Sequence, residues 1–325
     1  MPGPVSLPFD DWAEHLRLPP DLQVRVWPPA RAARDEEFWP QLRDDAGPDE
    51  LPSPDTTFFV PPYMQPTDLA RIFAALPALE VVQTLTAGYD DVLSLLPAGV
   101  TLCNARGVHD ASTAELAVGL MLASLRGLPD FVRAQQEGQW LEGRRPSLAD
   151  RRVVVVGAGS VGQAIAARLA PFETDVALVG RTARAGVHGG DELPQLLPDA
   201  DVVVLAVPLT PQTEGMVDAA FLAKLRDGAL LVNVARGKVV DTGALLAELT
   251  RGRITAALDV TDPEPLPSDH PLWRAPGTLI SPHVGGDTTA FLPRARRMLQ
   301  EQVTRYSRGE PLANVVAGPG APERA

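Results

Sequence analysis

Val153-Val154-Val155-Val156-Gly157-Ala158-Gly159-Ser160-Val161-Gly162 places glycines at fixed offsets between a run of valines and a helical pattern. Glycines at those offsets have distinct jobs. Gly157 permits a tight turn, Gly159 lets the backbone approach a pyrophosphate, and Gly162 lets helix pack on strand. The helix that starts with Ser160 and Val161 presents free N–H groups and a partial positive charge to the same phosphates. The strand–turn–helix setting is the context such a motif needs to signify dinucleotide binding.

Sites selective for NAD carry Asp or Glu at the end of the next strand, about 20 residues on, where it bonds the ribose 2′-hydroxyl. This chain instead reads Val179-Gly180-Arg181-Thr182-Ala183-Arg184. No carboxylate stands there to repel a 2′-phosphate. Arg181 and Arg184, with Thr182 between them, offer guanidiniums that bond phosphate in bidentate fashion. NADP(H) is the expected cofactor, with NAD(H) the less favoured option.

The elements that must hold this turn read as an α/β series. Strands are expected at Val153–Val156, Val176–Val179, Val202–Ala206, Leu230–Val234, Ala256–Asp259 and Thr278–Ile280, with helices such as Val161–Leu169 and Phe221–Leu225 between them. Six strands with crossover helices suit a doubly wound dinucleotide-binding sheet. Residues 1–106 alternate short apolar runs (Leu22–Trp27, Thr57–Val60, Val81–Leu85, Val100–Cys103) with a helical pattern at Leu69–Ala75, which implies a smaller parallel α/β layer. Ser112 and Glu115 have capping-box spacing for a long helix before Arg126. A last helix is expected near Phe291–Tyr306, and Gly318–Ala325 reads as a frayed tail.

Bulk composition narrows the partners. The 325 residues are 45% apolar and 22% charged, ordinary globular usage, and the net charge of −12 repels nucleic acid and anionic lipid. Cys103 is the only cysteine, so neither an internal disulfide nor a cysteine-based metal cage is expected. The opening residues lack the basic segment and apolar run of a signal peptide, and no apolar stretch reaches the ~18–20 residues of a membrane span. A cytoplasmic location without metal is the expectation.

Three further motifs identify a family. Asn233-Val234-Ala235-Arg236-Gly237, Leu258-Asp259-Val260-Thr261-Asp262-Pro263-Glu264-Pro265-Leu266-Pro267 and Ser281-Pro282-His283-Val284-Gly285-Gly286 resemble, in this order, the C-terminal motifs of the D-isomer-specific 2-hydroxyacid dehydrogenases. The likeness runs from Gln83-Thr84-Leu85-Thr86-Ala87-Gly88-Tyr89-Asp90 to Gly309–Val315. The resemblance implies that Arg236 holds the substrate's carboxylate and keto oxygen, that His283 gives that oxygen a proton, and that Glu264 pairs with His283. It implies that Asp259 contacts the nicotinamide ribose or carboxamide, with Pro208, Thr213, Val234, Ala235 and Gly285 also lining the cofactor site. Backbone N–H groups of Thr86, Ala87 and Gly88 would meet the substrate carboxylate. The chemistry is coherent: reducing a 2-keto acid needs a hydride donor, an acid and an anchor for negative charge. A carboxylate beside an imidazole favours its charged form, and a guanidinium fork fits a planar keto acid.

The family layout implies a discontinuous, flavodoxin-like substrate domain of residues 1–106 and 289–325 and a Rossmann cofactor domain of residues 107–288. It also implies a homodimer formed through the cofactor domain and the long helix near 111–126. Leu258–Trp273 and Gly180-Arg181 look especially like glyoxylate/hydroxypyruvate reductases, so a small 2-keto acid is the leading substrate. Pro61-Pro62-Tyr63-Met64 suggests an apolar pocket wall. Formate dehydrogenases of the superfamily carry glutamine where Glu264 stands, which argues against formate. Phosphite or a longer 2-keto acid stays open as substrate, and a dinucleotide-sensing corepressor is the alternative of another class.

Overall fold

The computed structural model describes residues 3–8, 16–20, 22–27, 51–63 and 67–321. Contacts divide the chain into two compact units, Met1–His109 with Thr289–Ala325, and Asp110–Thr288.

The first unit opens with β1 (Val5–Leu7), β2 (Val24–Val26), β3 (Phe58–Phe59), α1 (Leu69–Ala74), β4 (Val81–Gln83), α2 (Asp90–Leu93) and β5 (Thr101–Cys103). These strands are parallel in the order β5-β4-β3-β1-β2, the flavodoxin-like order. Successive side chains on a strand point to opposite faces. Phe58, Val81 and Cys103 accordingly enter one apolar layer, and Phe59, Val82 and Leu102 the other, against Ile72 and Phe73 of α1. Burial on both faces is why these strands read as unbroken apolar runs.

The second unit begins with α3 (Asp110–Arg126) and α4 (Leu128–Gln136). Then come β6 (Arg152–Val156), α5 (Ser160–Leu169), β7 (Asp175–Val179), α6 (Leu193–Leu196), β8 (Val202–Leu205), α7 (Ala219–Leu222), β9 (Leu230–Asn233), α8 (Thr242–Thr250), β10 (Thr255–Leu258) and β11 (Thr278–Ile280). All pairs are parallel, in the order β11-β10-β9-β8-β6-β7. Beyond β7 a single parallel bridge joins Val179 to His188. Strand order reverses between β6 and β8, and crevices at the carboxyl ends of such strands are where ligands bind. Val154, Val156, Val203 and Leu205 face one layer with α7 and α8, while Val153, Val155, Val202 and Val204 face α3 and α5.

The chain then returns to the first unit as α9 (Phe291–Ser307) and β12 (Val315–Ala317). Phe291, Ala295, Leu299 and Val303 of α9 are fully buried against β1, β3 and β4. The rings of His109, Tyr63 and Phe291 form a cluster, in which Tyr63 and Phe291 stack at 4.1 Å and the His109 centroid lies 5.7 and 5.3 Å from theirs.

The two α/β layers match the expected fold class; two short strands, β1 and β12, add to the expected elements, and one local expectation, the capping box, changes. β12 pairs antiparallel with β5, so chain just before the expected frayed tail is sheet edge. β1 was not legible as a strand because three residues amid prolines show no period. The capping box does not form. The α3 helix starts at Asp110, so Ser112 lies inside it and its hydroxyl bonds Thr288 Oγ1 at 2.7 Å. Among the described residues no helix is long and apolar enough to cross a membrane. None of their His, Cys, Asp or Glu side chains form a group of three or more suited to a metal.

Candidate active site

The glycine-rich turn sits at the switch in strand order, between β6 and α5. Gly157 has φ 118°, and a Cβ there would lie 2.2 Å from the Ala206 carbonyl oxygen at the end of β8. Only glycine permits both the dihedral and the approach. Gly159 is the extended N-cap of α5, exposed, with open space where a side chain would be. Ser160 and Val161 form the first turn, and Ser160 Oγ donates to Asp110 Oδ1 at 3.1 Å. Gly162 is buried beneath the turn. The backbone N–H groups of this helix start therefore face an uncluttered surface, a cradle that fits a pyrophosphate.

At the end of β7, Arg181, Thr182 and Arg184 are exposed. Arg184 and Val187 exchange both backbone hydrogen bonds across Ala185-Gly186. The resulting hairpin turns the Arg184 side chain back toward the glycine-rich turn, where its Nη2 donates to the Ala158 carbonyl at 3.0 Å. The two sequence-distant parts of the expected dinucleotide site thus meet at one side chain.

Arg236, Glu264 and His283 come from the loops after β9, β10 and β11, at the same end of the sheet. His283 Nδ1 lies 2.5 Å from Glu264 Oε1. Burial pushes the Glu264 carboxyl up, but it is outweighed by the hydrogen bond and charge of His283, the Thr261 N–H and the charge of Arg236. The net effect holds this carboxyl below the usual range. An ionised carboxylate only accepts, so Nδ1 is the donor and Nε2 is left to face other chemistry.

Backbone packing fixes these loops. A Cβ on Gly237 would lie 1.8 Å from the Thr261 carbonyl oxygen, so the segment after Arg236 rests directly on the loop that leads to Glu264. Thr242 Oγ1 donates to the Asp262 carbonyl at 2.8 Å, and the Asp262–Pro263 and Glu264–Pro265 bonds are cis. His283 has φ 55°, uncommon for a side-chain-bearing residue, and its N–H donates to the Asp259 carbonyl at 2.7 Å.

Asp259 is buried, and its carboxylate is the anchor for that bend. It accepts from Ser281 Oγ at 2.7 Å, from the Val284 N–H at 2.9 Å and from the Gly285 N–H at 2.9 Å. Its oxygens point into the histidine loop, a use that the cofactor contact implied by the family likeness did not include.

Asn233 and Ser281, to which the sequence motifs assign no role, shape the site. Asn233 Oδ1 accepts from the Ala235 N–H at 3.0 Å and its Nδ2 donates to the Arg236 carbonyl at 3.0 Å, closing the turn that carries Arg236. Ser281 steadies Asp259. An Asn two residues before a turn is the signal that was available for the first. Among the other expected positions, Val234 and Ala235 are buried at the end of β9, and Thr213 Oγ1 donates to the Pro208 carbonyl at 2.6 Å. Thr86, Ala87 and Gly88 belong to the first unit, where Thr86 Oγ1 donates to the Gly88 carbonyl and Asn104 Nδ2 to that of Ala87, both at 2.7 Å. Tyr63 is buried there, and Met64 lies outside the described residues.

Comparison with known proteins identifies the family. The model of the "D-isomer specific 2-hydroxyacid dehydrogenase, NAD binding domain" matches residues 118–285, more than half of the chain. The chain belongs to the D-isomer-specific 2-hydroxyacid dehydrogenase family. It is 34% identical over 248 residues to the human glyoxylate reductase/hydroxypyruvate reductase, covering 72% of this chain and 76% of that protein. It is 33% identical over 261 residues to the glyoxylate reductase of Korarchaeum cryptofilum, covering 76% and 79%. A solved structure of a D-isomer specific 2-hydroxyacid dehydrogenase from Xanthobacter autotrophicus Py2, in complex with NADPH and MES, superposes with a TM-score of 0.79 at 33% identity and 98% coverage of both chains. The dehydrogenase is thus a nicotinamide-dependent oxidoreductase of the glyoxylate reductase type, from a family that acts on small 2-hydroxy and 2-keto acids. The bare, glycine-shaped helix start after β6 is the part of this dehydrogenase that fits the dinucleotide.

Proposed function

We propose that this dehydrogenase reduces glyoxylate, hydroxypyruvate or a similarly small 2-keto acid, with NADPH preferred over NADH. The observation that carries the reading is the hydrogen bond between His283 and Glu264 within reach of the Arg236 charge, in the unit that also bears the dinucleotide turn. Nicotinamide held by the glycine-rich turn's unit would supply the hydride that the keto carbon accepts. Arg236 anchors the substrate carboxylate with its guanidinium fork. His283 releases the Nε2 proton to the developing alkoxide, while Glu264 holds the ring at Nδ1 and stabilises its charge. Asp259 fixes the bend that aims the ring, and Asn233 the turn that aims the guanidinium.

The cofactor preference rests on Arg181 and Arg184, which offer two cations and no carboxylate where a 2′-phosphate would sit. The relative solved with NADPH supports the same choice. A homodimer is proposed from the apolar side chains that the second unit leaves exposed on α4 and just beyond it, Leu128, Val132, Trp140 and Leu141. Light scattering that returns a monomer mass would remove the dimer.

The test is a spectrophotometric screen of NADPH and NADH oxidation with glyoxylate, hydroxypyruvate, pyruvate and longer 2-keto acids. Glyoxylate or hydroxypyruvate with NADPH should give the highest kcat/KM. Equal or better turnover with NADH defeats the cofactor assignment. Absence of any turnover with tight NADPH binding retained would favour a dinucleotide-sensing protein.

A further inference from the structure

Helix α9 carries four arginines against one glutamate in a chain whose net charge is −12. Two of them, Arg294 and Arg297, lie about one turn apart and line a groove of about 660 Å³ within the first unit. The third cation of the groove, Arg106, arrives on a different segment, the one that leaves β5. None of the three forms an ion pair among the described residues. The carboxylate in the lining, Glu301, is held by Arg305 at 2.7 Å.

The groove has a fixed floor. Gln302 is buried, and its amide donates to Gln83 Oε1 and to the Ala313 carbonyl, both at 2.8 Å, while its oxygen accepts from the Ala313 N–H. Asn314 Nδ2 donates to the Arg106 carbonyl at 3.1 Å, which ties the segment carrying Arg106 to the same floor. Like charges brought to one concave surface repel. A volume of this size suits a small molecule, and guanidinium forks suit carboxylate or phosphate oxygens.

We propose that this groove binds a small organic polyanion, one with at least two carboxylate or phosphate groups, through Arg106, Arg294 and Arg297. The site is built from first-unit residues alone and does not depend on the substrate reading above.

Calorimetric titrations of the full chain with citrate and with inorganic pyrophosphate test it. Saturating NADPH is present throughout to occupy the glycine-rich turn. At least one probe should bind with one-to-one stoichiometry, and the tighter of the two assigns carboxylate or phosphate chemistry. The Arg294→Gln/Arg297→Gln double variant should weaken that binding at least about tenfold, a loss of roughly 1.4 kcal/mol. Arg106→Gln should weaken it too, and it serves alone if the double variant does not fold. Arg236→Ala should leave it unchanged. Failure of both probes to bind the wild type overturns the site, as does binding that Arg236→Ala abolishes while the groove variants keep it.

Discussion

His283 Nδ1 and Glu264 Oε1 stand 2.5 Å apart on loops from two adjacent strands, and the charge of Arg236 falls on the same carboxylate. Replacing His283 with Ala should lower kcat/KM by about 10²–10⁴-fold, the usual contribution of a placed general acid. Wild-type kcat/KM in that variant would refute the assignment.

The Glu264 carboxyl is held below its ordinary range in the folded protein, which fixes the sign of a pH effect. Such a group contributes stability above its unfolded pKa, about 4.3, and loses it as pH falls through the lower folded value. The gap in urea midpoint between wild type and Glu264→Gln should shrink as pH falls from about 5 through the lower folded value. A gap that widens on acidification would contradict the geometry.

Arg236→Lys keeps the charge and loses the planar fork. Loss of charge-assisted bonds worth roughly 1.5–3 kcal/mol corresponds to about 10–150-fold in kcat/KM. Steady-state kinetics with glyoxylate and NADPH measures it, and an unaltered value would free Arg236 from the anchoring role.

Gly237→Ala should destabilise the second unit by about 1–3 kcal/mol, since its methyl group would press on the Thr261 carbonyl and part the two loops. The substitution should cost activity even at temperatures where the variant is folded. Thermal denaturation followed with activity assays separates the two effects.

Arg184→Ala should raise the KM for NADPH about tenfold or more and leave that for NADH nearly unchanged, because only the former carries a 2′-phosphate for the guanidinium to hold. A parallel rise for both cofactors would mean that Arg184 serves the hairpin and the Ala158 carbonyl rather than the 2′-phosphate.

Burial pushes the Cys103 thiol up to about 12 against a smaller opposing hydrogen bond from Gln302. A thiol so held supplies almost no thiolate at pH 8. A disulfide reagent should leave the folded protein unlabelled and react with one equivalent after denaturation; rapid labelling of the native chain would place Cys103 at a surface.

Several features of the fold and site could be read directly from the residues. The valines of β6 and the glycines that follow carry strand, turn and helix in ten consecutive positions, because each step is a local steric requirement. Long apolar runs gave most of the second unit's strands to within a residue or two. β1 and β12 did not show, since a three-residue strand has too few positions for alternation to stand out and acquires its meaning only beside a neighbour. The carboxylate of Asp259 is a similar case. Its partners at Ser281, Val284 and Gly285 lie more than twenty residues on, and only the adjacency of β10 and β11 brings them within reach. The side chains proposed to act on substrate advertise themselves by type, whereas those that hold their loops depend on long-range pairing.

The pairing of β12 with β5 has a consequence for biosynthesis. On the ribosome, β5 emerges well before its outer neighbour, and the entire second unit must be made in between. Throughout that interval the first unit offers a bare sheet edge and lacks the α9 face that covers Phe58 and Val81. The inserted unit, contiguous from Asp110 to Thr288, is free to fold during translation. The order of maturation is therefore middle first and ends last, and nascent chains halted before Val315 should be the ones that chaperones retain.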